Sequence, residues 1–150
     1  MITFETTLEF IKKAHYGQLY GVIEYWEHPL AVANLGSNLF GDKFTEEAKL
    51  VALLHDVIED TEYKSKDLLE MGYSKSVVHS VELLSKDTNL SYVENINKII
   101  DSNDLNAIMV KYSDNMVNYS SMGDLPEDYQ WMKNRYEKSM KLLKKKLDSL

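Results

Sequence analysis

The stretch Leu50-Val51-Ala52-Leu53-Leu54-His55-Asp56-Val57-Ile58-Glu59-Asp60-Thr61 sets an imidazole beside a carboxylate inside an otherwise apolar run. A run this apolar belongs in a core, and ionisable groups buried there need hydrogen bonds, an ion pair or a metal to offset their lost hydration. A bound cation answers that need most simply. A helix through the run places Glu59 one turn beyond His55 and Asp60 one turn beyond Asp56, because residues four apart share a face. Carboxylates crowded at one helix end repel each other, and a divalent ion relieves the repulsion. From these residues alone, a surface helix end with solvated acids stays open as the alternative.

Two other positions fit the rest of a coordination sphere. His28 precedes Pro29 and the apolar Leu30-Ala31-Val32-Ala33, which places it at or just before a helix start. Asp114 is the one acid in the apolar helical stretch Ile108-Met109-Val110-Lys111-Tyr112-Ser113-Asp114-Asn115-Met116-Val117-Asn118. Taken singly, the first reads as a capping histidine and the second as a solvated acid. Together with His55 and Asp56 they read as metal ligands.

In that order, His28, His55-Asp56 and Asp114 resemble the H…HD…D signature of the HD-domain metal-dependent phosphohydrolases. The run His55-Asp56-Val57-Ile58-Glu59-Asp60-Thr61 resembles the HD-x-x-ED-T element of the alarmone hydrolases, both the RelA/SpoT hydrolase domain and its small single-domain relatives. His15-Tyr16-Gly17-Gln18 is similar to their H-x-GQ opening, Tyr25-Trp26-Glu27-His28-Pro29-Leu30 to their Y-x-x-HP-hydrophobic element, and Val110 to Asn118 to their V-K-x-x-D-x-x-x-N element. These matches run in the family's order from about residue 8 to about residue 120.

The resemblance implies an all-α HD fold of about seven to nine helices and one divalent metal held by His28, His55, Asp56 and Asp114. Two imidazoles and two carboxylates suit manganese best, with iron, cobalt or zinc as other candidates. Glu59 and Asp60 are implied as the residues that orient or deprotonate the attacking water. The reaction implied is removal of the 3′ pyrophosphate from ppGpp or pppGpp. For substrate contacts the expectation is Lys86, Lys111 and Asn118, with Tyr20 as a possible stacking face for the base. Where the family often carries a basic residue after GQ, this chain has Leu19, Tyr20 and Gly21. Packing is the plain reading of Tyr20, and a solvated cation complementing a helix end is the plain reading of Lys86.

Composition agrees with one domain over residues 1–150. The chain is 44% hydrophobic, enough for a sizeable core, and it has no cysteine, which excludes disulfides and thiolate metal sites. No signal segment or membrane-length apolar run is present, so the expectation is a soluble, cytoplasmic protein. A formal charge of -7 argues against general nucleic-acid binding, yet a metal and a few lysines suffice for an anionic nucleotide. Lys141, Lys144, Lys145 and Lys146 read as a solvated helix end. Rival functions are an HD nucleotidase or a hydrolase of pyrophosphorylated RNA ends, and a non-enzymatic antitoxin or sensor module.

Helical periodicity covers nearly the whole chain. Phe4, Leu8, Ile11 and His15 mark a first helix stopped by Gly17, and Leu30 to Phe40 a second ended near Gly41. Thr45 starts a third that runs through His55. Shorter helices follow at Ser65 to Glu70 and Ser74 to Leu84, then one from Ser91 and one capped by Asp104. The last begins at Asp124 and Pro126, with an apolar stripe of Met132, Tyr136, Met140, Leu143 and Leu147 that either closes the core or seams a homodimer.

Overall fold

The computed structural model describes residues 1–123 and 127–150, and it is helical apart from one short ribbon. Helix α1 covers Phe4–Ala14, α2 Glu27–Phe40, α3 Glu46–Leu54, α4 Val57–Asp60 and α5 Ser65–Met71. Then come α6 at Lys75–Leu84, α7 at Tyr92–Asp101, α8 at Leu105–Ser121 and α9 at Gln130–Ser149. The starts follow their caps. Thr45, Ser74, Ser91 and Asp104 each accept a main-chain N–H from the first turn of the helix they precede, which satisfies a donor that the helix leaves free. The expected start of the last helix at Asp124 and Pro126 lies outside the described residues.

Helix α3 is the axis of the molecule. Val51, Ala52, Leu53 and Leu54 are fully buried, and α1, α2, α6 and α8 pack around them. A helix apolar on every side has to be enclosed in this way. Leu53→Ala therefore opens a cavity no neighbour easily fills, and denaturant unfolding is expected to show a loss of roughly 2–5 kcal/mol. Helix α8 lies against α2 and α3 on one side and α9 on the other. Leu143 of the α9 stripe is fully buried and Leu147 packs on the core, so the stripe closes the core. Gly36 lets α2 approach the ring of Phe44, which a side chain at that position would overlap.

One expectation is corrected. The third helix does not run through His55: it ends at Leu54, and α4 begins only at Val57. The cause is local. The Nδ1–H of His55 donates to the Ala52 carbonyl at 2.6 Å, the backbone N–H of His55 reaches that same carbonyl at 3.5 Å, and Asp56 turns the chain at φ −104, ψ 0. The segment between α1 and α2, for which no helix is expected, is extended. Strands β1 (Leu19–Tyr20) and β2 (Ile23–Glu24) pair antiparallel, with Leu19 opposite Glu24 and Tyr20 opposite Ile23. Gly21 at φ +62 takes the first position of the two-residue turn, which glycine fills without strain.

Candidate metal centre

Three helices separated in sequence deliver the buried candidate ligands. His28 comes from the first turn of α2, His55 from the end of α3 and Asp114 from the middle of α8. His28 Nε2 lies 2.8 Å from Asp114 Oδ1, and His55 Nε2 lies 3.4 Å from the same oxygen. Asp56 Oδ2 is 3.0 Å from His55 Nε2. Donor atoms of His28, His55 and Asp114 all fall within 4.8 Å of one another, as do those of Asp56, Glu59 and Asp60. The break at His55-Asp56 thus splits the acids and imidazoles into two abutting groups in place of one crowded helix face.

The hydrogen bonding fits a cation. Because His55 Nδ1–H is committed to the Ala52 carbonyl, its Nε2 carries the free lone pair. That Nε2 is buried with no hydrogen-bond partner although two carboxylates face it. A buried nitrogen that faces acids and has no partner is explained by an ion between them. The remaining lone pairs of the acids are held in place from behind. Lys111 Nζ lies 3.3 Å from Asp114 Oδ2, Asn118 Nδ2 donates to Asp114 Oδ1 at 3.4 Å, and the Tyr25 hydroxyl donates to Asp56 Oδ2.

Charge follows from this packing. Burial works to lower the pKa of His55, yet Asp56 and Asp114 raise it well above the usual histidine value. Burial works to raise Asp114, yet Lys111, His28 and His55 hold it well below the carboxylate range. Without an ion the carboxylates thus favour a proton on His55, and a divalent ion would have to displace that proton to reach the Nε2 lone pair. Asp60 behaves differently. Burial, Asp56 and Glu59 together push its carboxyl up to about 6. Burial and Asp56 also raise Tyr25, so its hydroxyl stays a donor.

A cavity of about 210 Å³ opens from His55, Asp56 and Asp114 and is bordered by Glu59, Lys86, Lys111 and Arg135. The Lys86 main-chain N–H donates to Glu59 Oε1, which fixes that carboxylate at the cavity wall. Tyr20 stacks one face of its ring on His28, at 4.4 Å and 13°, and its hydroxyl donates to Asn118 Oδ1 at 2.7 Å. That face of Tyr20 is taken by His28. Arg135 was not anticipated from the sequence. It lies over Tyr92, 4.4 Å from the ring centroid, and 5.0 Å from the centroid of Trp131. The available signal was that a chain otherwise basic through lysine uses arginine once, here.

The model of the HD domain matches residues 25–145, a span that contains every ligand described above. The chain belongs to the HD-domain family. This HD domain is 36% identical over 127 residues to the guanosine-3′,5′-bis(diphosphate) 3′-pyrophosphohydrolase of Haemophilus influenzae, a match covering 78% of this chain and 18% of that protein. It is 35% identical, with the same coverage, to the bifunctional (p)ppGpp synthase/hydrolase SpoT of Escherichia coli K12. It is 32% identical over 143 residues to a GTP pyrophosphokinase of Myxococcus xanthus, covering 82% of this chain and 18% of that protein. The HD domain thus spans 18% of the length of these curated relatives. Among solved structures, a metazoan ortholog of SpoT said to hydrolyze ppGpp superposes with a TM-score of 0.72 at 22% identity, over 97% of this chain and 92% of that one. That likeness establishes the fold. Among the described residues no helix is long and apolar enough to cross a membrane.

Proposed function

We propose that this HD domain is a metal-dependent hydrolase that removes the 3′ pyrophosphate of ppGpp and pppGpp. The observation that carries the reading is the meeting of two groups at one cavity: His55, Asp56, Glu59 and Asp114 line it, with His28 against Asp114 and Asp60 beside Asp56 and Glu59. The names of the relatives supply the substrate class. His28, His55, Asp56 and Asp114 would hold a divalent ion, manganese being the best match to two nitrogens and two carboxylates, and such an ion would supply a water of lowered pKa and a positive field for the phosphate. Glu59, steadied by the Lys86 N–H, orients that water, and Asp60 takes its proton. Lys86, Lys111 and Arg135 bring positive charge to the cavity where the phosphates lie. Asn118 and the free face of Tyr20 border the sugar and base.

In bond terms, the water oxygen adds to the phosphorus bonded to the 3′ oxygen, and the bond from phosphorus to that oxygen breaks. The 3′ oxygen leaves as a hydroxyl and the diphosphate is released whole. Chromatography of the products tests this directly. With manganese present, ppGpp should yield GDP and diphosphate and pppGpp should yield GTP and diphosphate, with GTP and a 5′-monophosphate left intact. Release of single phosphates, or an inert alarmone beside a cleaved monophosphate, would contradict it.

A pH profile follows from Asp60. As the proton acceptor it has to be ionised, and its carboxyl stands at about 6 before any cation is bound. A nearby cation favours the ionised form, so kcat/KM is expected to fall toward acid with a midpoint at or below about 6. Asp60→Asn should flatten that limb. A limb that persists unchanged in Asp60→Asn would assign the proton elsewhere.

A further inference from the structure

The end of α4 is held by a residue from another part of the chain. Asp60 closes a helix of only four residues, and Thr61 beyond it is extended, at φ −130 and ψ 176. Within this short element the carbonyl of Asp56 accepts from Asp60 N–H, and the carbonyl of Val57 accepts from Thr61 through both its N–H and its hydroxyl. The Asp60 carbonyl has no helical partner, as expected at a helix end. It accepts instead from Gln18 Nε2 at 2.8 Å, across 42 residues of sequence.

Gln18 is itself oriented. Its Oε1 lies 2.8 Å from His15 Nδ1. Since a backbone carbonyl only accepts, the amide nitrogen of Gln18 has to face Asp60, the amide oxygen has to face His15, and His15 Nδ1 has to carry the proton. His15 is buried, and its other nitrogen, Nε2, has no partner. The His15 ring packs on Tyr25, with centroids 4.8 Å apart, and Nδ1 is the nitrogen that makes a polar contact.

We propose that His15 and Gln18 are positioning residues for Asp60: His15 fixes the orientation of the Gln18 amide, and that amide fixes the peptide at Asp60 and so the direction of its carboxylate. The proposal rests on the reading of Asp60 as the proton acceptor. Neither residue belongs to the groups of potential metal donors, so removing them should leave metal binding intact. A carboxylate aimed wrongly by about 1 Å costs on the order of 100-fold in rate, and loss of a supporting hydrogen bond typically costs about 10–100-fold.

The test compares Gln18→Ala, His15→Ala and His15→Asn with the unaltered chain. His15→Asn keeps an N–H donor near the Nδ1 position. With ppGpp and saturating manganese, Gln18→Ala and His15→Ala should lose on the order of 10–100-fold in kcat, with KM and manganese content within about threefold. His15→Asn should recover most of that loss, which a role confined to packing would not produce. In parallel, hydrogen exchange of the Gln18 side-chain amide should be slow in the unaltered chain and in His15→Asn, and fast in His15→Ala. Unchanged kcat in Gln18→Ala, no recovery in His15→Asn, activity lost in proportion to bound manganese, or slow exchange in His15→Ala would each overturn the proposal. An unaltered chain that turns over no alarmone would overturn the hydrolase reading and this proposal together, a result distinct from an active chain matched by its Gln18→Ala variant.

Discussion

Asp56→Ala is expected to abolish both metal binding and turnover. Asp56 is the joint between the two groups of the site: its Oδ2 stands 3.0 Å from His55 Nε2, accepts from the Tyr25 hydroxyl, and lies beside Glu59 and Asp60. Truncation removes a ligand and leaves the buried Tyr25 hydroxyl and His55 facing a methyl group, which costs more than the ion pair itself. A metal site supplies several kcal/mol of charge stabilisation to the reaction, and each 1.36 kcal/mol is tenfold in rate, so the loss should be on the order of a thousandfold or more. Metal analysis after dialysis against manganese, alongside ppGpp turnover, checks both halves. An Asp56→Ala chain with full metal content and normal turnover would remove Asp56 from the coordination sphere.

Glu59→Gln is expected to separate the two functions. The amide keeps an oxygen that accepts from Lys86 N–H, and Glu59 is exposed, so the fold should be unaffected and unfolding should shift by no more than about 0.5 kcal/mol. Metal content should match the unaltered chain because His28, His55, Asp56 and Asp114 are untouched. The rate should fall on the order of 100-fold, the usual cost of misplacing a reacting group by about 1 Å. Turnover within a few-fold of the unaltered chain would reduce Glu59 to a tether for the loop at Lys86.

The residues of the candidate site were legible in the sequence because burial makes polar residues conspicuous. His55 and Asp56 stand out in an apolar run, and Asp114 is the one acid on a helix whose Ile108, Met109 and Val110 are fully buried. The break after Leu54 was not legible, because Val57 and Ile58 continue the helical period of the residues before them. It comes from a side chain, His55, that competes with the backbone for the Ala52 carbonyl, and periodicity carries no trace of such competition. The ribbon at Leu19–Tyr20 and Ile23–Glu24 escaped for a different reason: two-residue strands are too short to show alternation. What the ribbon does for the site is visible only in three dimensions, where Tyr20 meets His28 and Asn118. Arg135 comes from α9, more than 20 residues beyond the nearest ligand in the chain, and joins the cavity through its packing on Tyr92.

The central claim is that one ion, held by His28, His55, Asp56 and Asp114, makes this chain an alarmone hydrolase. The most direct measurement is to strip the purified protein of metal, add manganese back in steps, and follow diphosphate release from ppGpp at each step. Turnover should be absent at the start, rise in proportion to added manganese, and level off at one ion per chain. Diphosphate released at full rate by the stripped protein, or no release at any manganese concentration, would contradict it.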